Sequence, residues 1–152
     1  MSNLKAVLTP QQENSITNYR RMGIDISVQE DNRVIISQKR LINSCVLNQS
    51  ELKARARAIF PQKKYKIIPE VYAPDFDSIT DDWILAQMET YGIKRNDLVH
   101  QMGLEKSYIS LLFAPAENPR KINLSKPMKA AFYYYFKSYE TAREVLDILH
   151  SK

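Results

Sequence analysis

Apolar and polar positions follow different patterns in the two halves of the chain. In the first half, Thr9 and Pro10 together with Gln12 have the form of a helix start, and apolar residues recur at spacings of three up to Met22. Gly23 is a natural stop for such a segment. This pattern predicts a helix from Pro10 to Met22.

Strand-like segments follow this helix. Apolar residues alternate with polar ones over residues 24–28, residues 30–32 supply turn chemistry, and a β-branched run resumes at 34–36, which together predict a hairpin. Ser50 is the expected cap of a second helix that Pro61 ends, and a further strand is predicted at 65–68. The first half is therefore expected to be a small α+β unit.

The second half has the periodicity of helices only. Prolines and polar residues dilute the apolar pattern before it, so we expect an α+β domain at 1–72, a linker at 73–80 and a helical domain at 81–152. In the helical domain, four helices are predicted: Asp81 to Gly92, Asn96 to Gly103, Glu105 to Phe113, and Ser125 to about Leu149. The expected fold class is an α+β unit followed by an all-α domain of four to five helices.

The charge balance is compatible with a polyanionic partner without requiring one. The 152 residues carry 22 Lys and Arg against 17 Asp and Glu, a formal net charge of +5. Residues 1–80 hold 12 basic and 8 acidic side chains, whereas residues 81–152 hold 10 and 9. Most of the excess positive charge therefore lies in the first half.

Several classes of function are disfavoured by the residues present. Cys45 is the single cysteine, so neither an intramolecular disulfide nor a cysteine-based zinc site is expected, which suits a reducing cytoplasm. Neither a signal segment nor a membrane span is apparent, and the scattered glycines form no phosphate-binding loop. We expect a cytoplasmic, non-enzymatic protein without membrane contact, metal or cofactor.

Residues 92–112 contain two short helical segments with a tight turn between them. Gly103 tolerates the positive φ that such a turn needs. Leu98 and Met102 before the turn, and Ile109 and Leu112 after it, lie at spacings that place them on one side of each helix. The two helices are therefore predicted to share one buried seam.

The other side of the third predicted helix of this domain, Glu105 to Phe113, is small and polar. At about 100° per residue, Lys106, Ser107 and Ser110 cluster on the side roughly opposite Ile109 and Leu112. Lysine donates to guanine acceptors in the major groove of DNA, and serine bonds to several bases. This surface is suited to reading base edges.

On these residues, the segment from about Asp81 to Phe136 resembles the helix-turn-helix DNA-binding domain of the phage repressor and Cro type. The pattern of Leu98, Gly103, Ile109 and Leu112 carries the resemblance. It covers under half of the chain, and it implies a bacterial or phage setting.

The resemblance also implies roles for individual residues. Arg95, at the start of the second helix, is expected to touch a phosphate. The third helix is expected to face the groove with Lys106, Ser107 and Ser110, and Leu111 to contact a thymine methyl group.

Two further basic clusters each have two interpretations. Arg120 and Lys121 belong to a stretch, residues 118–136, without acidic side chains, so they either grip the DNA backbone or form a solvated loop. The basic run over residues 53–66 either adds affinity for nucleic acid or is the wet face of an amphipathic helix. We expect phosphate contacts from Arg120 and Lys121, and a solvated face for the run 53–66.

The last predicted helix carries a heptad-like stripe. It has apolar residues at alternating spacings of four and three: Met128, Phe132, Tyr135, Tyr139, Ala142, Leu146 and Leu149. The stripe either forms a homodimer contact or covers the core of its own domain. We expect a homodimer, because a single domain of this type contacts few base pairs.

The function expected from the sequence is that of a sequence-specific transcriptional regulator that binds double-stranded DNA. The alternative is a protein-interaction module, such as an antitoxin or adaptor, in which the N-terminal unit holds a protein partner or a ligand.

Overall fold

The structure is a computed structural model that describes residues 7–42 and 45–150. The chain divides into two compact units, Met1–Ala73 and Pro74–Lys152. The described residues of the first unit contain a three-stranded sheet with two helices, and those of the second are mostly helical. The broad class is therefore α+β.

The first unit contains the helices and strands that its sequence pattern predicts. They are α1 (Pro10–Arg21), β1 (Ile24–Val28), β2 (Arg33–Gln38), α2 (Gln49–Ile59) and β3 (Lys66–Glu70). Thr9 caps α1 through a capping box with Gln12, as predicted. The predicted cap of α2 is wrong: Asn48 holds that position, because its side chain accepts from the Glu51 N–H while Glu51 bonds back.

The sheet has the order β1–β2–β3. β1 pairs with β2 in antiparallel fashion, whereas β3 pairs with β2 in parallel, so α2 is the crossover between two parallel strands. Pro69 lies in β3, where an edge strand tolerates its missing N–H. Both helices cover one face of the sheet with a common core: Ile16, Ile24, Ile26, Val34, Ile36, Leu47, Leu52, Ala56, Phe60 and Tyr65.

A buried amide organises the segment after β2, for which the sequence predicted no regular structure. Gln38 is 3% exposed. Its Nε2 group donates to the carbonyls of Arg40 and Cys45, and its Oε1 atom accepts from the N–H of Leu47. These bonds satisfy a polar group that would otherwise be costly to bury, and they return the chain to the core at Leu47.

The second unit begins earlier than its helical pattern suggested. Residues 74–80, which the sequence assigned to a linker, belong to this unit: Phe76–Ser78 form a 3-10 turn, and Ile79 is 1% exposed. Four helices follow: α3 (Asp81–Tyr91), α4 (Arg95–Met102), α5 (Lys106–Leu112) and α6 (Lys126–His150). In the ranges 7–42 and 45–150, no helix is long and apolar enough to cross a membrane.

One core joins these four helices. Its fully or nearly fully buried residues are Ile84, Met88, Ile93, Leu98, Ile109, Leu112, Phe132 and Phe136. Gly92 ends α3 and Gly103 ends α4, with φ values of 66° and 68° in the left-handed region. A side chain built at either glycine would meet no atom within 4 Å, so backbone conformation alone selects glycine there.

Substituting Gly103 tests this explanation of the turn. Gly103→Ala should lower the free energy of unfolding by about 1–2 kcal/mol because of left-handed strain, and Gly103→Asn by less, since asparagine visits that region more readily. Gly92→Ala is the matched control and should cost about as much as Gly103→Ala. Urea unfolding followed by the fluorescence of Trp83, the single tryptophan, measures all three. A Gly103→Asn cost equal to that of Gly103→Ala would contradict the assignment.

Candidate nucleic-acid interface

Helices α4 and α5 pack on each other across the Gly103 turn. Leu98 from α4 is fully buried, and Ile109 and Leu112 from α5 are each 1% exposed, as the shared seam predicts. Met102, the fourth predicted member, is half-buried at the margin of the same core. The seam fixes which side of α5 points to solvent.

The solvent side of α5 presents the polar residues expected there. Lys106, Ser107 and Ser110 are all exposed, whereas Leu111 is half-buried. Glu105 precedes α5 without capping it, and its Oε2 atom lies 3.5 Å from the Ser107 hydroxyl. One short helix thus offers an ammonium donor, two hydroxyl groups and an adjacent carboxylate to solvent.

Arg95 lies at the start of α4 and is exposed. The carbon at the centre of its guanidinium is 5.2 Å from the centroid of the Phe113 ring, at the end of α5. A cation–π contact of this kind occupies no N–H group in a hydrogen bond, so these groups remain accessible to an anion. The contact therefore positions Arg95 beside α5 and leaves it able to bind phosphate.

Arg120 lies exposed in the segment between α5 and α6. Its backbone N–H donates to Oδ1 of Asn118 at 2.9 Å, which fixes the local turn. The side chain has no salt bridge among the described residues. Its position is compatible with the phosphate contact expected from sequence.

Lys121 has a structural role that conflicts with the role predicted from sequence. Its Nζ atom donates to the Asp81 carboxylate at 2.8 Å and to the carbonyls of Leu112 and Ala114 at 2.7 and 2.8 Å. These three bonds use all three ammonium hydrogens inside the unit. Lys121 therefore does not fit the expected role of gripping a DNA phosphate, and it is not among the contacts proposed below.

The Lys121 ammonium connects the end of α5 to the beginning of α3. The last carbonyls of a helix have no partner within it, and Lys121 satisfies one at the end of α5. Its hydrogen bond and positive charge hold the pKa of the Asp81 carboxyl below its ordinary value, against the opposing effect of burial. Asp81 therefore stays ionised beside Lys121 throughout the neutral range.

A polar contact between α4 and α6 is invisible in the sequence pattern. The hydroxyl groups of Tyr135 and Tyr139 lie 2.6 and 2.5 Å from Oε1 of Gln101. Burial, together with the neighbouring Tyr139 hydroxyl, raises the pKa of Tyr135 far above its usual range, so this group remains a neutral donor. The residues are 34 and 38 positions apart, and no local spacing relates them.

In the described part of the chain, no three His, Cys, Asp or Glu side chains are placed to hold a metal ion together. Comparisons of the chain with protein-family models, curated proteins and solved structures give no match.

Removing the Lys121 ammonium should destabilise the second unit. Lys121→Met keeps the apolar stem but leaves two carbonyls and a carboxylate without their donor, so we expect a loss of about 1–3 kcal/mol in the free energy of unfolding. Lys126→Met, which removes an exposed lysine at the start of α6, is the control and should be nearly neutral. Urea unfolding with Trp83 fluorescence reports both, and equal effects would contradict the role of Lys121.

The same ion pair predicts a pH dependence. Because the folded-state pKa of Asp81 is lowered, its stabilising effect is complete above the unfolded pKa and is lost as pH falls through and below about 4. The stability difference between the natural chain and Asp81→Asn should therefore be constant near neutral pH and shrink in acid. A difference that grows in acid would show the wrong sign.

Proposed function

We propose that the second unit binds double-stranded DNA in a sequence-specific way, with α5 in the major groove, and that the protein is a cytoplasmic transcriptional regulator. The supporting observation is the arrangement of α5 itself. Ile109 and Leu112 anchor one side of α5 in the core. Lys106, Ser107 and Ser110 of the same helix are exposed to solvent. A helix of this kind, held after a turn at Gly103, is what a helix-turn-helix reader would need.

The exposed groups on α5 divide the work of reading bases. Lys106 donates to the O6 and N7 acceptors of guanine, and Ser107 and Ser110 donate or accept at several bases. Leu111 is half-buried, so only part of its side chain is available to a thymine methyl group. Glu105 adds an acceptor suited to the amino group of cytosine, and it opposes unselective contact with phosphate.

Arg95 and Arg120 are the proposed phosphate contacts. Both are exposed, and they flank α5 in sequence, one at the start of α4 and one after the end of α5. Contacts to phosphate fix the register of a protein on the duplex but carry no sequence information directly. The two arginines would therefore orient α5 and leave base selection to Lys106 and the serines.

A homodimer is the second element of the proposal. The first part of the heptad stripe on α6 packs inside its own domain, and only the last part of the helix supports a dimer. Met128, Phe132, Tyr135 and Tyr139 pack with the core. Beyond Arg143, which donates to the Thr90 carbonyl, four apolar residues are half or more exposed: Val145, Leu146, Ile148 and Leu149. An apolar cluster of this kind marks an interaction surface.

We propose that this surface contacts the same residues of a second copy of the chain. A two-fold pair would present two α5 helices to successive major grooves about 34 Å apart, as dimeric helix-turn-helix proteins do. The operator would then be a near-palindrome, and a bound dimer would exclude polymerase by steric overlap.

The base-reading role is tested by changing α5. Lys106→Ala with Ser107→Ala should relax the sequence preference selected from a random duplex pool. Arg120→Ala is the matched comparison: it should weaken binding about equally for all sequences and lower the salt slope by about 1, as expected for one phosphate contact. Anisotropy and sequencing of the retained DNA measure both effects. An unchanged preference in the α5 variant would remove α5 from the groove.

The dimer is tested by charging the exposed end of α6. Leu146→Glu with Leu149→Glu should shift the chain from dimer to monomer in sedimentation velocity and weaken operator binding. Leu85→Glu is the control: Leu85 lies on α3 and is 42% exposed, so this variant should stay a dimer. A monomer for the natural chain at tens of micromolar would overturn the dimer.

A further inference from the structure

A groove in the first unit concentrates positive charge. It lies between α2 and β3, has a volume of about 620 Å³ and is open to solvent. Lys53 and Arg57 line it from α2, and Lys63 and Lys66 line it from the segment leading into β3 and from β3 itself. Four cations therefore border one surface, which the sequence run 53–66 alone did not show.

No acidic side chain neutralises these cations locally. The chain has no Asp or Glu from Leu52 to Ile68. The two flanking acids are engaged elsewhere: Glu51 accepts from the N–H of Asn48, and Glu70 accepts from the Ser37 hydroxyl at 2.7 Å. Within residues 7–42 and 45–150, none of the four groove cations forms a salt bridge. The positive charge of the groove is therefore available to an anion from outside the described residues.

The walls of the groove are fixed by contacts that do not depend on a ligand. Nη1 of Arg57 donates to the carbonyls of Phe60 and Gln62 at 3.2 and 3.0 Å, which tethers the segment that carries Lys63. Tyr65 is 9% exposed and packs edge-on against Phe60, with ring centroids 5.0 Å apart. The segment that carries Lys63 is therefore attached to α2 and to the core without a ligand.

Lys64, which belongs to the same basic run, has a different position. Its Nζ atom lies 5.1 Å from the centroid of the Tyr65 ring, and it does not line the groove. Lys64 therefore contacts Tyr65 of the groove wall without lining the groove itself. Only some of the cations in the basic run 53–66 line the groove, so net charge alone does not define this surface.

We propose that this groove binds phosphate groups of a nucleic-acid backbone. Lysine and arginine bind phosphate through charge-assisted hydrogen bonds, and an open groove admits a continuous polymer. The inference rests on the proposed function in one respect, that duplex DNA is the polymer bound. It adds a contact surface in the first unit that is independent of α5.

The test removes two groove charges from the full chain. Lys63→Gln with Lys66→Gln should lower the slope of log Kd against log salt by about 2, since each phosphate contact contributes about 0.9. Lys39→Gln with Arg21→Gln removes the same charge from exposed positions of the same unit outside the groove. That control should change the slope by well under 1. A short fluorescent duplex of arbitrary sequence, titrated by anisotropy at several salt concentrations, measures both.

Equal slopes for the two double variants would overturn the groove and leave only a net-charge effect. Amide shifts in NMR spectra give an independent readout: duplex should move the signals of residues 63–67, and their failure to move would also overturn it. Inorganic pyrophosphate is the alternative probe, and movement with pyrophosphate but not with duplex would contradict a backbone site. A loss of sequence preference in α5 variants changes neither the salt slope of the groove variants nor the amide shifts of residues 63–67. The groove and the base-reading role of α5 can therefore be refuted independently of each other.

Discussion

The orientation of α5 depends on the Lys121 ammonium. Its three hydrogen bonds connect Asp81, at the start of α3, to the carbonyls of Leu112 and Ala114, at and just beyond the end of α5. Without this donor, carbonyls at the end of α5 would need water, and the loop to α6 would lose its attachment. Lys121 thus fixes the last turn of α5, while the buried seam of Ile109 and Leu112 sets which side of the helix is exposed.

α5 is too short to be stable by itself. It has seven residues, and no side chain caps its beginning, whereas isolated helices shorter than about 12–15 residues are marginal in water. Its stability therefore comes from the burial of Ile109 and Leu112 and from Lys121. Among the described residues, the side chains of Lys106 and Ser110 make no hydrogen bond and Ser107 makes only the long one to Glu105, so packing does not set their identity.

Local physics explains which features the sequence predicted. Three features depend on neighbours within about four residues: the capping box at Thr9, the glycine stops, and the buried stripe of Leu98, Ile109 and Leu112. They can therefore be predicted from a single sequence. The parallel pairing of β3 depends on residues about 33 positions apart, as in the pair Arg33 and Lys66, and no local signal encodes it. The structural role of Lys121 is not encoded locally for the same reason: its partner Asp81 is 40 residues away.

In the proposed complex with DNA, affinity and selectivity would have separate physical sources. The first half carries the larger charge excess, and the fold gathers four of its cations around one groove. The second half is nearly balanced in charge, and Glu105 places a carboxylate beside α5, the helix proposed to read bases. A reading surface of low net charge gains little from unselective phosphate attraction, so its binding depends more on matched hydrogen bonds. Electrostatic attraction supplied from the first unit would then lengthen the time that the protein stays on DNA. It would not weaken the discrimination between base sequences proposed for α5.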